Sequence, residues 1–366
     1  MTAENKEEFF MKPLNFVVVG SGWRSLFYAR IANAYPDYFK LSAFLCRTRE
    51  KAEQMQRDYG VRAVADEEEC LLKKPDFIVV AVSKDSVFQV TRDWVLKGYP
   101  VLCETPAAMN LEDLHELWRL HTREGARVQV AEQYFRYPSF QAAIRVIEEG
   151  YLGEPYMVNI SAVHDYHGAS LIRRLLGVGF QNMKIYGKKY TYPIVETDSR
   201  YGLIEDGRMC DSHRVRMTFE FEGGKTAFYD FDGVQYHSRI RSRHLNVQGP
   251  RGELDDWSLR YVGEDNRSRE YKILREPFET GRGIKEIYVG SKQLYWNPFY
   301  ELGQIRGLSQ DETAVGSLML GMRRFMEDGT EVYPLSEGLQ DAYVRILMEQ
   351  ALKSKETVIS ETQGWG

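Results

Sequence analysis

The sequence predicts an α/β protein of two domains, the first a doubly wound parallel sheet with helices on both faces. Three observations carry this. The chain has 366 residues, enough for two hydrophobic cores. Its N-terminal third alternates short apolar runs with amphipathic stretches, the order that strand–helix–strand units produce. The first apolar run ends in a glycine-rich turn, Gly20-Ser21-Gly22-Trp23-Arg24-Ser25, and a helical pattern follows directly.

The elements justify themselves in order. Residues 15–20 (NFVVVG) are apolar and β-branched, as a strand buried on both faces requires. Leu26, Ala29, Ile31 and Ala32 then mark the inner face of a helix. In G-x-G-x-x-S, Gly20 permits the tight turn and Gly22 lets backbone approach a pyrophosphate. Ser25 is small enough for close helix–strand packing, although Gly or Ala is usual there. The helix N-terminus adds unpaired N–H groups and the positive end of a dipole. Further strands are expected at 41–45, at 77–82 as the third strand, and at 101–103, with helices at 50–59 and 85–97 between them. A glycine turn without a ligand is the alternative, and this alternation argues against it. Residues 13–133 therefore read as a Rossmann-type dinucleotide-binding domain, with Gly20, Ser21, Gly22, Trp23 and Arg24 against the cofactor.

Domains selective for NAD end their second strand in Asp or Glu, which bonds the ribose hydroxyls. Here that place holds Cys46, followed by Arg47, Thr48 and Arg49. No carboxylate repels a 2′-phosphate, and Arg47 is placed to pair with one. The expected cofactor is NAD or NADP, with a slight lean to NADP. The alternative for Arg47 is a solvated charge or a stacking contact on adenine.

Composition excludes other classes. The formal net charge is −5 and basic residues are scattered among acids, so no nucleic-acid partner is expected. The longest apolar runs, 16–19 and 77–82, are too short to span a bilayer. The start of the chain is acidic and polar, unlike a signal peptide, and 1–12 reads as a loose extension with a second methionine, Met11. Cys46, Cys70, Cys103 and Cys210 form no CxxC pair, which suggests reduced thiols in a cytoplasmic protein.

At Cys103-Glu104-Thr105-Pro106 the chain resembles the glucose–fructose oxidoreductase/inositol dehydrogenase/rhizopine-catabolism (Gfo/Idh/MocA) family. The likeness continues through Ala131-Glu-Gln-Tyr-Phe-Arg-Tyr-Pro138, Asp311-Glu-Thr-Ala314, Phe325-Met-Glu-Asp-Gly329 and Pro334-Leu-Ser-Glu-Gly338. The resemblance implies a C-terminal α/β domain over 134–366 with an open, mainly antiparallel sheet. That sheet packs against another subunit in such proteins, so a homo-oligomer is expected. It also places Val82, Ser83, Glu104, Thr105 and Gln133 on the cofactor. Two departures stand out. Thr105 replaces the lysine of the family's Glu-Lys-Pro, which binds the reacting hydroxyl. Val82-Ser83-Lys84 replaces Thr-Pro-Asn.

The densest polar cluster is His164-Asp165-Tyr166-His167, between a strand-like run and a helix. His167 lies ten residues before Gly177 and so matches the family's histidine; Ser170 and Val163 stand where the family has aspartates. Histidine titrates near neutral pH and can take a hydroxyl proton while hydride leaves the same carbon. His167 is the first candidate base, with Tyr134 and His164 in reserve and Asp165 to orient a ring. Helix capping and core hydrogen bonding are the alternative roles. No third well-spaced ligand accompanies these groups, so no metal is expected. Strands at 215–222, 225–231 and 245–249 follow, with a hairpin at Glu222-Gly-Gly-Lys225. The stretch 236–244, rich in His and Arg, reads as a sheet face that could meet sugar hydroxyls or a partner subunit, or simply solvent.

The reading is an NAD(P)-dependent oxidoreductase acting on a hydroxyl of a sugar, polyol or glycoside, in the last case forming a keto-glycoside. Two alternatives stay open: a glycosidase using transient oxidation and elimination, and a non-catalytic cofactor-binding protein.

Overall fold

A computed structural model describes residues 12–279, 282–300 and 307–366. The extension expected over 1–12 lies, Lys12 apart, outside the described residues. The chain forms two compact units, the first made of the described residues of Met1–Tyr137, Pro277–Lys285 and Asn297–Leu339, the second of Pro138–Glu276, Glu286–Trp296 and Gln340–Gly366.

The first unit begins with β1 (Leu14–Val19), α1 (Ser25–Ala34), β2 (Phe39–Leu45), α2 (Arg49–Tyr59), β3 (Ala63–Val64), α3 (Glu67–Leu71), β4 (Phe77–Val80), α4 (Lys84–Leu96), β5 (Val101–Cys103), α5 (Leu111–Glu124) and β6 (Val128–Val130). The strands form a parallel sheet in the order β3-β2-β1-β4-β5-β6. This is the doubly wound order that changes direction beside the first strand, where ligands bind at the carboxyl ends. β1 and β4 are buried throughout, which is why they read as continuous apolar runs. The expected third strand is in fact the fourth. The two-residue β3 and the short α3 precede it, and neither is long enough to show a period.

The second unit contains α6 (Pro138–Glu148), β7 (Met157–Ser161), α7 (Asp165–Leu176), β8 (Met183–Val195), a hairpin of β9 (Asp198–Ser199) and β10 (Gly202–Leu203), β11 (Met209–Phe221), β12 (Thr226–Asp232), β13 (His244–Gly249), β14 (Gly252–Asp255), β15 (Ser258–Val262), β16 (Ser268–Pro277), β17 (Ile284–Val289) and β18 (Lys292–Trp296). Two helices, α8 (Gln310–Glu327) and α9 (Leu335–Ser354), and β19 (Val358–Ile359) complete the chain. Among the described residues the large sheet has eleven strands, ordered β18-β17-β16-β15-β14-β13-β7-β12-β11-β8-β19. β7 pairs parallel with β12, whereas β8, β11, β13, β14, β15 and β19 pair antiparallel. α7 packs on β7, and Gly168 lies so close to the Tyr229 ring that a Cβ there would come within 2.6 Å of it.

Two expectations change. A division at 133/134 does not describe the packing, because 297–339 belong to the first unit. Gly316 on α8 sits against Phe299 and Ile31, with only 2.6 Å between a built Cβ and the Phe299 ring. Nor is 236–244 a sheet face. Gly233–Tyr236 is a short 3₁₀ turn, 237–243 is loop, and only His244 enters β13.

In the second unit, Arg173 Nη1 donates to Asp341 Oδ1 at 2.6 Å, with side chains 3% and 5% exposed. Arg173 Nε also donates to the Gly179 carbonyl at 2.9 Å. Removing one partner of such a pair strands a buried charge. Asp341→Ala should lower unfolding free energy by about 3–5 kcal/mol, read by denaturant titration; a change below about 1 kcal/mol would show that water reaches the guanidinium.

All four cysteines are free. Burial pushes the Cys70 and Cys103 thiols up to about 12, and Cys46 is raised for the same reason. Since the thiolate is the reactive form, native protein should react with Ellman's reagent at no more than one site, the half-buried Cys210, and at four after denaturation. Two or more fast native equivalents would contradict the burial.

Candidate functional site

The carboxyl ends of β1, β2, β4 and β5 form a cradle in the first unit. Gly20 follows β1 with φ +126°, and its N–H donates to the Leu45 carbonyl at 3.0 Å. A Cβ at this position would lie 2.3 Å from the Ala81 carbonyl oxygen, so only glycine lets the turn pass so close to the end of β4. Ser25, fully buried, donates its hydroxyl to the same oxygen at 3.2 Å, which explains the small third residue of the motif. Gly22 is the opposite case. A Cβ there would meet no protein atom within 4 Å, so the bare backbone faces open space. That is the cradle a pyrophosphate needs, and the residues present fit a dinucleotide.

Cys46, buried, ends β2 and its thiol is hydrogen-bonded to Ser21, joining two predicted residues. Arg47 is exposed beside it, and 46–49 carry no acid. At the end of β4, Val82 is half-buried and Ser83 is exposed ahead of α4. Trp23 is 48% exposed and meets Phe27 edge-on at 4.6 Å.

Arg24 turns into an internal network. Its Nε donates to Glu104 Oε1 at 2.8 Å, and Nη1 reaches both Asp311 carboxylate oxygens at 3.2 Å. Tyr28, fully buried, donates to the same Glu104 oxygen at 2.6 Å. Burial alone would lower the Arg24 pKa, but Glu104 and Asp311 outweigh it and hold the guanidinium well above its ordinary value. Burial raises the Tyr28 and Tyr137 hydroxyls, and the adjacent carboxylates Glu104 and Asp311 add to this. Arg24 Nη2 and Gln133 Oε1 are buried with no hydrogen-bond partner among the described residues. A native interior leaves few such atoms, and each suits a ligand's polar group. Thr105 is half-buried beyond Glu104, and Tyr134 is buried, stacked on Tyr137 at 4.7 Å. Sequence reasoning missed Tyr28, Tyr137 and Asp311. The available signal was an arginine in a glycine loop with acids after β5 and at a helix start.

The second unit holds the histidine cluster. His164 is the residue before α7, and its side chain makes no capping bond. Its backbone N–H donates to Tyr236 Oη at 2.9 Å. The same hydroxyl lies 2.6 Å from His164 Nδ1, and Tyr166 Oη lies 3.0 Å from Nε2. Tyr236, His164 and Tyr166 thus form a chain of exchangeable protons across a half-buried imidazole. His167, 4% exposed, packs its ring 4.7 Å from His164 and 4.3 Å from Tyr166. Asp165 accepts the Tyr166 N–H at 2.8 Å and stands 3.7 Å from His164 Nε2, and the two tyrosine hydroxyls lie on the His164 ring nitrogens. Tyr229 Oη accepts the Asp165 N–H at 2.9 Å and fixes the start of α7. Tyr134 belongs to the first unit and the other three candidates to the second. Among the described residues no group of three His, Cys, Asp or Glu side chains is placed to hold a metal, and no helix is long and apolar enough to cross a membrane.

A glycine cradle on a 3-2-1-4-5-6 parallel sheet defines a nicotinamide dinucleotide-binding domain, the cofactor being NAD or NADP. Residues 14–132 match the family model described as "Oxidoreductase family, NAD-binding Rossmann fold". This domain belongs to the Gfo/Idh/MocA family, and the chain is an NAD(P)-binding oxidoreductase. Curated proteins give no match. Solved structures do. An NAD-binding oxidoreductase from Klebsiella pneumoniae superposes with a TM-score of 0.67 at 17% identity, covering 96% of this chain and 100% of its own. An oxidoreductase from Agrobacterium radiobacter, crystallised with NAD+, L-tartaric acid and magnesium, gives 0.67 at 14% identity, covering 94% and 98%. Apo scyllo-inositol dehydrogenase from Lactobacillus casei gives 0.64 at 13%, covering 95% and 98%. The likeness is one of fold, including the second unit's predominantly antiparallel sheet.

Proposed function

We propose that the protein oxidises a secondary hydroxyl of a sugar, polyol or glycoside, with His167 as the base. The observation that carries this is the Tyr236–His164–Tyr166 hydrogen-bonded chain with the His167 ring packed against it. When bound, the cofactor supplies the hydride acceptor. The protein's part is to hold the hydroxyl, accept its proton at a His167 ring nitrogen and keep bulk water away from that ring. The adjacent imidazole and phenols give the proton a route outward through His164 to half-buried Tyr236. Thr105 carries no charge and cannot act as the base at neutral pH. A scyllo-inositol dehydrogenase is among the structures of similar fold, which supports a polyhydroxylated ring as substrate. Tyr186, Tyr192 and Phe228, each 39% exposed or more, lie on β8 and β12 and suit a homo-oligomeric sheet interface.

The test begins with mass spectrometry of nucleotide released from purified protein and titration of the apo form with NAD and NADP. A panel of polyols, sugars and glycosides is then followed at the absorbance of reduced nicotinamide. Reduction with a ring polyol or glycoside supports the proposal. Free aglycone without net reduction indicates the glycosidase alternative, and tight cofactor binding without turnover across the panel a non-catalytic protein. If Arg47 pairs with a 2′-phosphate, Arg47→Ser should weaken NADP binding about tenfold, roughly 1.4 kcal/mol, and leave NAD unchanged. Equal effects on both would make it a solvated charge.

A further inference from the structure

Strands β7 and β12 are parallel neighbours, with Tyr229 beside Ile160, so their carboxyl ends emerge side by side. β7 leads into His164 and α7, and β12 leads into the 3₁₀ turn Gly233–Tyr236. The Tyr236 hydroxyl reaches across to His164, at its backbone N–H and at its ring. A single 3₁₀ turn is a weakly determined element, and 237–243 beyond it is loop. The place of the phenol therefore depends on what anchors the turn.

The anchor is the buried side chain of Gln235, whose amide is used at both ends. Its Oε1 accepts the Asp232 N–H at 3.0 Å. Its Nε2 donates to the Ser242 carbonyl at 2.6 Å, to Ser161 Oγ at 3.1 Å and to the Ser161 carbonyl at 3.3 Å. An amide offers an acceptor on one side and donors on the other; a carboxylate has nothing to give the two carbonyls. Ser161 is the last residue of β7, three before His164. Two adjacent residues of the turn thus grip one junction, Gln235 at Ser161 and Tyr236 at His164. Asp232 completes the frame. Its side chain accepts the Val234 N–H at 3.1 Å and is bonded by the buried Ser212 hydroxyl of β11. Arg243, over the Tyr236 ring at 4.8 Å, and Phe231, edge-on to it at 5.0 Å, pack the ring itself.

We propose that Gln235 is a positioning residue: its amide holds the Tyr236 hydroxyl against His164 and so keeps the Tyr236–His164–Tyr166 proton chain connected. The effect on turnover rests on the base reading above; the effect on the hydrogen bond does not.

The experiment uses the full chain, isotopically labelled in its histidine ring nitrogens, with NMR, melting curves and kinetics on four variants. Tyr236→Phe removes the hydroxyl and identifies the His164 Nδ1 signal by moving it. Gln235→Met keeps the length without polar atoms, and Gln235→Asn keeps an amide one methylene short. In both, the Nδ1 signal should move toward its Tyr236→Phe position. Their kcat should fall about tenfold or more, as misplacement of a supporting group does, with nucleotide affinity unchanged. Ser212→Ala removes a bond on the far side of Asp232. It should lower the melting temperature and leave the Nδ1 signal in place, a split that general loosening of the fold does not produce. A wild-type Nδ1 signal in either folded Gln235 variant overturns the assignment. So does the same movement in Ser212→Ala at equal destabilisation, or loss of the native melting curve in both Gln235 variants, which would make Gln235 a residue of folding. Wild-type turnover in Tyr236→Phe removes the proton chain from the reaction, and the Nδ1 signal still decides the role of Gln235.

Discussion

Gly22→Ala should lower NAD(P) affinity at least about 100-fold, roughly 2.7 kcal/mol, and leave the melting temperature of the apo protein unchanged. Its partner, Gly20→Ala, should lose both. The two glycines are two residues apart and do different things. At Gly20 the backbone has φ +126° and a methyl group would lie 2.3 Å from the Ala81 carbonyl oxygen. The alanine is strained by its dihedral and by the clash, and β1 and β4 must part to admit it, so stability falls with affinity. At Gly22 a methyl group meets no protein atom within 4 Å. The folded apo protein has nothing to lose there, and the only thing a methyl group displaces is the ligand. Thermal melts of the apo variants beside fluorescence titrations with NADH separate the two effects. Wild-type affinity in Gly22→Ala would mean that the dinucleotide does not lie on this backbone.

His167→Asn should cut turnover by about 10²–10⁴-fold, the span ascribed to a positioned base, with NAD(P) affinity within threefold of wild type. Asparagine keeps much of the shape and a polar edge but cannot accept the proton. His167 is 4% exposed and packs between two rings, so the variant's melting temperature must be recorded with its activity. The pH profile adds a readout that a merely structural role would not move: wild type should lose activity as the base protonates in acid, and the residual activity of the variant should lack that limb. Turnover within tenfold of wild type in a folded His167→Asn protein would transfer the role to His164 or Tyr134.

The dinucleotide half was legible because its signals are local. A buried parallel strand shows as an unbroken apolar run, and the turn after β1 needs glycine for steric reasons visible in six residues. β3 was missed because two residues show no period. The 236–244 stretch misled because its alternating polar residues, a strand-like pattern, belong to a loop outside any ladder. The histidine cluster was found as a string of adjacent residues, yet its wiring was not. Tyr236 lies 72 residues from His164, and no spacing rule links them. The same holds for Arg24 and Asp311, 287 residues apart. The placement of 297–339 in the first unit is likewise set by packing at Gly316 and by hydrogen bonds to the Gln129 side chain, which leave no periodic trace in the sequence.

Those bonds bear on how the protein is made. Gln129 Oε1, on β6, accepts the N–H groups of Val332 and Tyr333, at 2.8 and 3.1 Å, and Tyr35 stacks on Phe299 at 4.3 Å. The segment supplying these partners starts at Asn297, while the unit's first stretch ends at Tyr137. At a synthesis rate of about 5–20 residues per second, the ribosome adds the 159 residues between them in roughly 8–32 s. Throughout that interval the nascent nucleotide domain has its sheet but lacks the chain that covers Tyr35 and bonds the Gln129 amide. A translation pause, a cofactor already bound or a chaperone acts on this half-closed form, and a fragment cut after residue 133 keeps it permanently.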